Sequence, residues 1–209
     1  MANRVDTLSS LIKRVHKTEH GFIGIQAASE EIFASHSSAE TLRLAKELFE
    51  SDVHQARVLA VFLFGKLAAK SKESFTLLRK RVSLDKDWRV QETLAKAFDQ
   101  YCKDSGYEKS LPVIEDWLTD ANPNVRRAVT EGLRIWTGRD YLREHPEIAI
   151  KLLSQLKADE SEYVRKSVGN ALRDISRKNK DLIRKELQGW DISDKHIQQT
   201  HKLAAKFLK

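Results

Sequence analysis

Three stretches of this 209-residue chain set cationic, carboxylate and amide side chains at one helical spacing. Arg127, Glu131 and Arg134 stand at i, i+4 and i+7. Lys166, Asn170 and Arg173 repeat that spacing with Asp174 beside them, and Arg177 one turn on. Glu92, Lys96 and Asp99 do so earlier in the chain, with Trp88 one turn ahead of Glu92. Residues three or four apart on an α-helix share a face, so each set is a line of alternating charge. Arginine and lysine in such lines suit the neutralisation of a polyanion, and tryptophans at the margins offer stacking surfaces. The same carboxylates also read as ordinary intrahelical partners: Glu92 for Lys96, Glu131 for Arg127 or Arg134, Asp174 for Arg177 or Lys178. Such pairs contribute only ~0.2–0.5 kcal/mol each.

The elements that carry these lines recur. Trp88-Arg-Val-Gln-Glu-Thr-Leu, Asn124-Val-Arg-Arg-Ala-Val-Thr and Tyr163-Val-Arg-Lys-Ser-Val-Gly are variants of one helix, with Val90, Val125 and Val164 in register at offsets of 35 and 39. A weaker copy begins at Gln55 and puts Ala56 34 residues before Val90. Helical repeats of roughly 34–47 residues stack, because one helix pair cannot bury its own apolar face. The chain therefore reads as all-α, a right-handed solenoid of about five HEAT-like helix pairs in a single domain, residues 1–209. Val125, Ala128, Val129 and Leu133, matched by Val164, Ser167, Val168 and Leu172, form the packing stripe. The charged lines occupy the opposite face and should align from repeat to repeat, on the concave side.

Apolar spacing predicts helices over 3–17, 26–35, 38–50, 53–70, 73–84, 86–104, 108–119, 122–137, 146–157, 160–178, 181–188 and 193–208. Ser38, Pro123 and Ser193 or Asp194 serve as start signals, and Gly21-Phe-Ile-Gly24 breaks the first helix. The chain holds 8 Gly and 3 Pro, which suits helices. The single Cys102 excludes an intrachain disulfide and a cysteine-rich zinc site, and it reads as a buried thiol. Trp117 and Trp190 read as core or edge packing, and Arg126 and Arg165 as partners of acids such as Asp159 or Glu162 in neighbouring repeats. The longest clean apolar run, Val58 to Phe64, falls far short of the ~20 residues of a membrane span, and the first residues lack a signal-peptide core. A cytoplasmic, monomeric protein without metal or cofactor is expected. Charge is uneven: residues 1–122 hold 18 Lys+Arg against 18 Asp+Glu, whereas residues 123–185 hold 15 against 9, most of the net +7.

Asn124-Val-Arg-Arg-Ala-Val-Thr-Glu-Gly132 and Ser161-Glu-Tyr-Val-Arg-Lys-Ser-Val-Gly-Asn-Ala-Leu-Arg-Asp-Ile-Ser176 resemble the HEAT-like DNA alkylation repair proteins of the AlkC and AlkD type. The resemblance runs from Gly21-Phe-Ile-Gly-Ile25 to Asn179-Lys-Asp-Leu182, and the second segment is most similar to the AlkC branch. It implies a protein that binds duplex DNA in the cleft of the solenoid and hydrolyses the N-glycosidic bond of N3- or N7-methylated bases. Trp88 and Glu92 resemble the aromatic and carboxylate of the family's active-site helix, Glu131 and Asp174 its AlkC-type carboxylates, and Trp136 its cleft tryptophan. Arg127 and Arg173 resemble its DNA-contacting arginines; Arg134, Lys166, Asn170 and Arg177 extend that surface. Two departures stand out. Asn170 occupies the place of a cleft tryptophan in the AlkD branch, and Leu-Arg-Ile-Trp-Thr-Gly follows Gly132 in place of an Arg/Pro-rich turn.

The implied chemistry suits these residue types. An alkylated base is already cationic and leaves readily. A positioned carboxylate, Glu92, Glu131 or Asp174, would stabilise the positive charge developing on the sugar and orient water. Two other functions remain open on the same residues: a nucleic-acid-binding module that excises nothing, and a scaffold for an acidic protein partner.

Overall fold

In the computed structural model, which describes residues 8–18, 21–136 and 138–208, every regular element among the described residues is helical. Two compact units divide them, residues 1–104 and 105–209. The first holds α1 (Leu8–His16), α2 (Ile23–Ser35), α3 (Ser38–Phe49), α4 (His54–Ala68), α5 (Lys72–Lys80) and α6 (Trp88–Ser105). The second holds α7 (Tyr107–Leu118), α8 (Pro123–Trp136), α9 (Asp140–Glu144), α10 (Pro146–Ser154), α11 (Glu162–Ser176), α12 (Lys180–Gln188) and α13 (Lys195–Ala204). The expected helices all have counterparts, except that residues 3–7 of the first lie outside the described residues. Two expected tails close as 3-10 turns, Val82–Leu84 and Ala205–Phe207. One-turn α9 is too short to leave a periodic signal.

The start of α3 corrects the reading of Ser38 as its cap. Ser37 caps the helix because Glu40 stands three residues on: the Ser37 hydroxyl accepts from the Glu40 N–H at 3.3 Å, and the Glu40 carboxylate accepts from the Ser37 N–H at 2.9 Å. Pro123 opens α8 as expected, where its missing N–H would lack a partner anyway. Asp194, of the two candidates, caps α13 by accepting from the N–H groups of His196 and Ile197.

Each unit is a stack of HEAT-like pairs around one central helix. In the first, α4 packs against α1, α2, α3 and α5, and every residue from Val58 to Phe64 is buried. A helix apolar all round belongs at such a centre. In the second, α11 packs against α8, α10, α12 and α13, with the expected stripe residues Val164, Ser167, Val168 and Leu172 facing inward. Their counterparts Val125, Ala128, Val129 and Leu133 on α8 are buried too. Thr130 and Ser167 join α8 to α11 by a 2.6 Å hydroxyl–hydroxyl bond inside this interface. Cys102, Trp117 and Trp190 are buried, as expected.

One repeated polar device registers successive pairs. Arg57, Arg126 and Arg165 occupy the same repeat position, and each donates through Nη1 to the two carbonyls five and six residues before it. The rest of each guanidinium reaches the next repeat: Arg57 to Asp85 at 2.7 Å, Arg126 to Asp159 at 2.7 Å, and Arg165 to Gln199 at 2.9 Å. Asp85 and Asp159 also accept the backbone N–H two residues on, closing the turn before the next helix. The expected pairing of Arg126 is therefore met by Asp159, whereas Arg165 uses an amide in place of Glu162.

Two glycines allow close helix approaches. A Cβ on Gly65 of α4 would lie 2.8 Å from the Ala97 Cα of α6, and one on Gly169 of α11 would lie 2.9 Å from the Thr200 carbonyl oxygen of α13. Gly65→Ala would raise helix propensity by about 0.5–1 kcal/mol yet force backbone against backbone at a cost of roughly 1–3 kcal/mol. Urea unfolding of the variant should therefore show a net loss of stability; a gain would contradict the close approach.

Candidate nucleic-acid interface

Burial of the stripe turns the charged lines of α8 and α11 away from the core, and the register of the repeat sets them side by side. Arg134 of α8 donates through Nε to Asp174 of α11, across forty residues of sequence. Arg173 donates to the other oxygen of Asp174 at 3.1 Å, and Arg177 approaches it at 3.9 Å. On α8, Glu131 sits 3.6 Å from the Arg134 guanidinium and 3.8 Å from that of Arg127. Six of the anticipated residues thus form one network in the C-terminal unit.

Its composition governs its chemistry. Four guanidiniums meet two carboxylates, leaving a surplus of two positive charges over the members named. The Glu131 and Asp174 side chains are only 15% and 20% exposed. Burial pushes the Asp174 carboxyl up, but the hydrogen bonds and charges of Arg134 and Arg173 outweigh it and hold the group below its ordinary value. The bond to Asp174 in turn raises Arg134, against the effect of its own burial. Both carboxylates have cations on their oxygens. Cations at this distance screen the field of either carboxylate.

Phe207 backs the cationic side of the cluster. Its ring centroid lies 4.7 Å from the Arg177 guanidinium carbon and 5.6 Å from that of Arg173, close enough for cation–π attraction. Asn170 is half-buried one turn before Asp174. Lys166, a turn earlier again, is exposed and pairs with Glu162 at 2.7 Å, outside the network. Trp136 ends α8, and its side chain lies outside the described residues.

Trp88 and Glu92 belong to the N-terminal unit, at the start of α6. Trp88 is 66% exposed, so it serves no core. Glu92 is half-buried on the next turn. Trp88 lines a cleft of 240 Å³ together with Phe22, His54, Gln55, Arg89 and other residues of this unit. Arg89 lies over the indole at 5.8 Å and is clamped by Asp87 through two bonds of 2.9 and 2.7 Å. That clamp, against the burial of the carboxyl, lowers Asp87 to about 2. At His54, burial and then the charge of Arg89 lower the imidazole below its ordinary value, leaving it neutral at pH 7. Lys96 points its ammonium at the Phe22 ring, 5.7 Å from the centroid.

Residues 8–206 match the DNA alkylation repair enzyme family. The chain belongs to that family. It is 50% identical to AlkD2 from Streptococcus mutans, with 97% of each chain covered and a TM-score of 0.94. AlkC from Pseudomonas fluorescens, an alkylpurine DNA glycosylase solved on DNA containing an abasic-site analog, shares 21% identity at a TM-score of 0.53. That match covers 94% of this chain and 62% of AlkC, and it shows likeness of fold. An uncharacterized protein of Bacillus subtilis (strain 168), YhaZ, is 38% identical over 87 residues, 40% of this chain and 24% of its own length. The helical repeats of the fold are thus those of the family. No described helix is long and apolar enough to cross a membrane, and no cluster of possible metal ligands occurs among the described residues.

Several side chains around these sites escaped the sequence reading. Phe207 follows the last repeat and shares no register with it. Phe22 precedes α2, and His54 and Gln55 open α4, whereas Trp88 opens α6, so no single helical line contains them. Asp87-Trp-Arg89 was the available signal, since an acid two residues before an arginine at a helix start can clamp it. Replacing Arg89 with Ala should let Asp87 rise from about 2 toward its ordinary 3.8. Because the folded value is depressed, the stabilisation from this pair is fully present above the ordinary value and lost as pH falls through about 2. Carboxyl NMR titration of wild type and variant checks the shift; an unmoved Asp87 would remove Arg89 as its cause.

Proposed function

We propose that this protein acts on DNA in alkylation repair and grips the phosphate backbone with Arg127, Arg134, Arg173 and Arg177. The observation that carries this reading is the network in which Glu131 and Asp174 hold arginines of two successive repeat helices together with a surplus of positive charge. Guanidiniums fixed in this way present their remaining N–H groups to phosphate oxygens with little ordering cost. Family membership supports DNA as the partner, and a relative, AlkC, was solved on DNA. In this reading Glu131 and Asp174 are positioning residues. Asn170 and Lys166 extend the contact surface along α11.

Four phosphate contacts imply that duplex affinity falls on the order of a hundredfold between 50 and 200 mM salt. Arg134→Gln combined with Arg173→Gln should weaken binding and flatten that slope by about two contacts. Fluorescence anisotropy against salt concentration checks both. Binding that ignores salt, or the loss of these two charges, removes the cluster from the interface and favours an acidic protein partner.

A second reading, excision of alkylated bases, is favoured by the exposed Trp88 with Glu92 one turn on. Trp88 would contact the lesion or its sugar, and Glu92 would stabilise the sugar cation as the C1′–N bond breaks and water adds. Methylated duplex incubated with the protein should then release N3- or N7-methyl bases, and Glu92→Gln should slow release at least ~100-fold with duplex affinity nearly intact. Absence of release with binding retained would leave a DNA-binding member of the family that excises nothing.

A further inference from the structure

Arg177 is held to the cluster differently from Arg134 and Arg173. Those two donate directly to Asp174, whereas the 3.9 Å approach of Arg177 to that carboxylate is too long for a hydrogen bond. Its close neighbour is the Phe207 ring, 4.7 Å from the guanidinium carbon, and the same ring stands 5.6 Å from that of Arg173. The packing of α13 brings the ring there. A Cβ on Gly169 of α11 would lie 2.6 Å from the Leu203 Cβ, so its absence lets α13 sit directly on α11. Thr200 ties α13 down further by donating its hydroxyl to the Lys157 carbonyl at 2.7 Å. Beyond buried Ala204 the chain tightens into the 3-10 turn Ala205–Phe207, and the Leu208 N–H donates to the Ala205 carbonyl at 3.0 Å. Arg184 of α12, paired with Asp181 at 2.9 Å, donates to the Leu208 carbonyl at 3.1 Å. The turn is thus pinned on both sides of a half-buried Phe207.

We propose that Phe207 is a positioning residue of the cluster, a preformed aromatic seat that aims Arg177 and Arg173 at backbone phosphates. The proposal rests on the DNA reading above. A long side chain on an exposed helix face samples many rotamers, and gripping a phosphate must first freeze it. A ring against the guanidinium does part of that freezing in advance. It does so without taking up donors, because attraction to a ring uses the charge and flat face of the group and leaves its N–H edge for phosphate oxygens. A carboxylate in the same place would occupy that edge and cancel the charge. The exposures fit this division. Arg177 remains 65% exposed, so the ring supports it without covering it. Arg173, with Asp174 on its Nε and Nη2 and the ring beside it, is 18% exposed. Arg177 is the outer arm of the grip, with Arg173 behind it.

Two variants of the full chain separate the ring from its bulk. Phe207→Leu keeps an apolar side chain and removes the ring, and Phe207→Tyr keeps the ring. Duplex affinity followed by anisotropy against salt should fall about fivefold in Phe207→Leu, with the salt slope flatter by about one contact. Phe207→Tyr should restore both. In an Arg177→Gln background the loss caused by Phe207→Leu should shrink to about twofold or less. A merely structural role would give the same loss in both backgrounds and leave the slope unmoved, which would overturn the proposal. Side-chain NMR of Arg173 and Arg177 reads the positioning without DNA. Their Nε–H and Cδ–H protons should show ring-current shifts in the wild type and in Phe207→Tyr, and lose them in Phe207→Leu. Absence of those shifts in the wild type overturns the seat, as does Phe207→Leu binding duplex with wild-type affinity and slope. A wild type that shows the shifts yet binds no duplex at about 50 mM salt would uphold the aromatic seat and sink the DNA reading alone.

Discussion

Four guanidiniums brought together on adjacent helices repel one another unless anions stand among them. Asp174 meets that constraint: its two oxygens take Arg134 from α8 and Arg173 from its own helix, with Arg177 at the edge. Glu131 does the same for Arg127 and Arg134. The positions of these acids are set from below, by Val125, Val129, Val164 and Val168 in the buried interface and by the Thr130–Ser167 bond within it. The core between α8 and α11 therefore fixes the spacing of the charged surface above it. That surface is held in one arrangement before any ligand arrives, which lowers the entropy cost of gripping a polyanion.

Adjacent basic residues in each repeat divide their work by helical phase. Arg126 binds two carbonyls of the loop before its own helix and reaches into the following repeat to an Asp159 whose side chain is 4% exposed. Arg127, one position on and 100° around the helix, faces the Glu131 line instead. Arg165 and Lys166 divide in the same way on α11. A largely buried guanidinium with four acceptor contacts belongs to the scaffold, because breaking such a pair strands a charge in the interior. On the outer line, the Arg134 and Arg177 side chains are 38% and 65% exposed.

Much of this was legible in the sequence because both phenomena are periodic. The stripe at Val125 and Val164 repeats every few residues, the pairs repeat every few tens, and their superposition assigns each arginine a face. The helix start at Asp194 was legible from its capping side chain, and the start at Ser37 was displaced by one residue because the reciprocal Glu40 bond decided the position. Contacts without register were not legible. Arg134 and Asp174 meet across forty residues, so their bond required the repeats to be stacked before it was visible. Phe207 touches Arg177 from beyond the last repeat. The cleft beside Trp88 draws on Phe22 before α2 and His54 at the start of α4, which share no register with it. Trp88, read as a stacking surface from its place one turn ahead of Glu92, is 66% exposed.

The central claim is that the acids of the cluster serve its arginines, and one variant separates that from simple charge addition. Asp174→Asn removes a negative charge from a surface proposed to meet phosphate, so bulk electrostatics alone would tighten duplex binding. If Asp174 instead positions Arg134 and Arg173, the variant binds duplex DNA several-fold more weakly than wild type at 100 mM salt. An affinity equal to or tighter than wild type, in a variant that folds normally, would contradict the account.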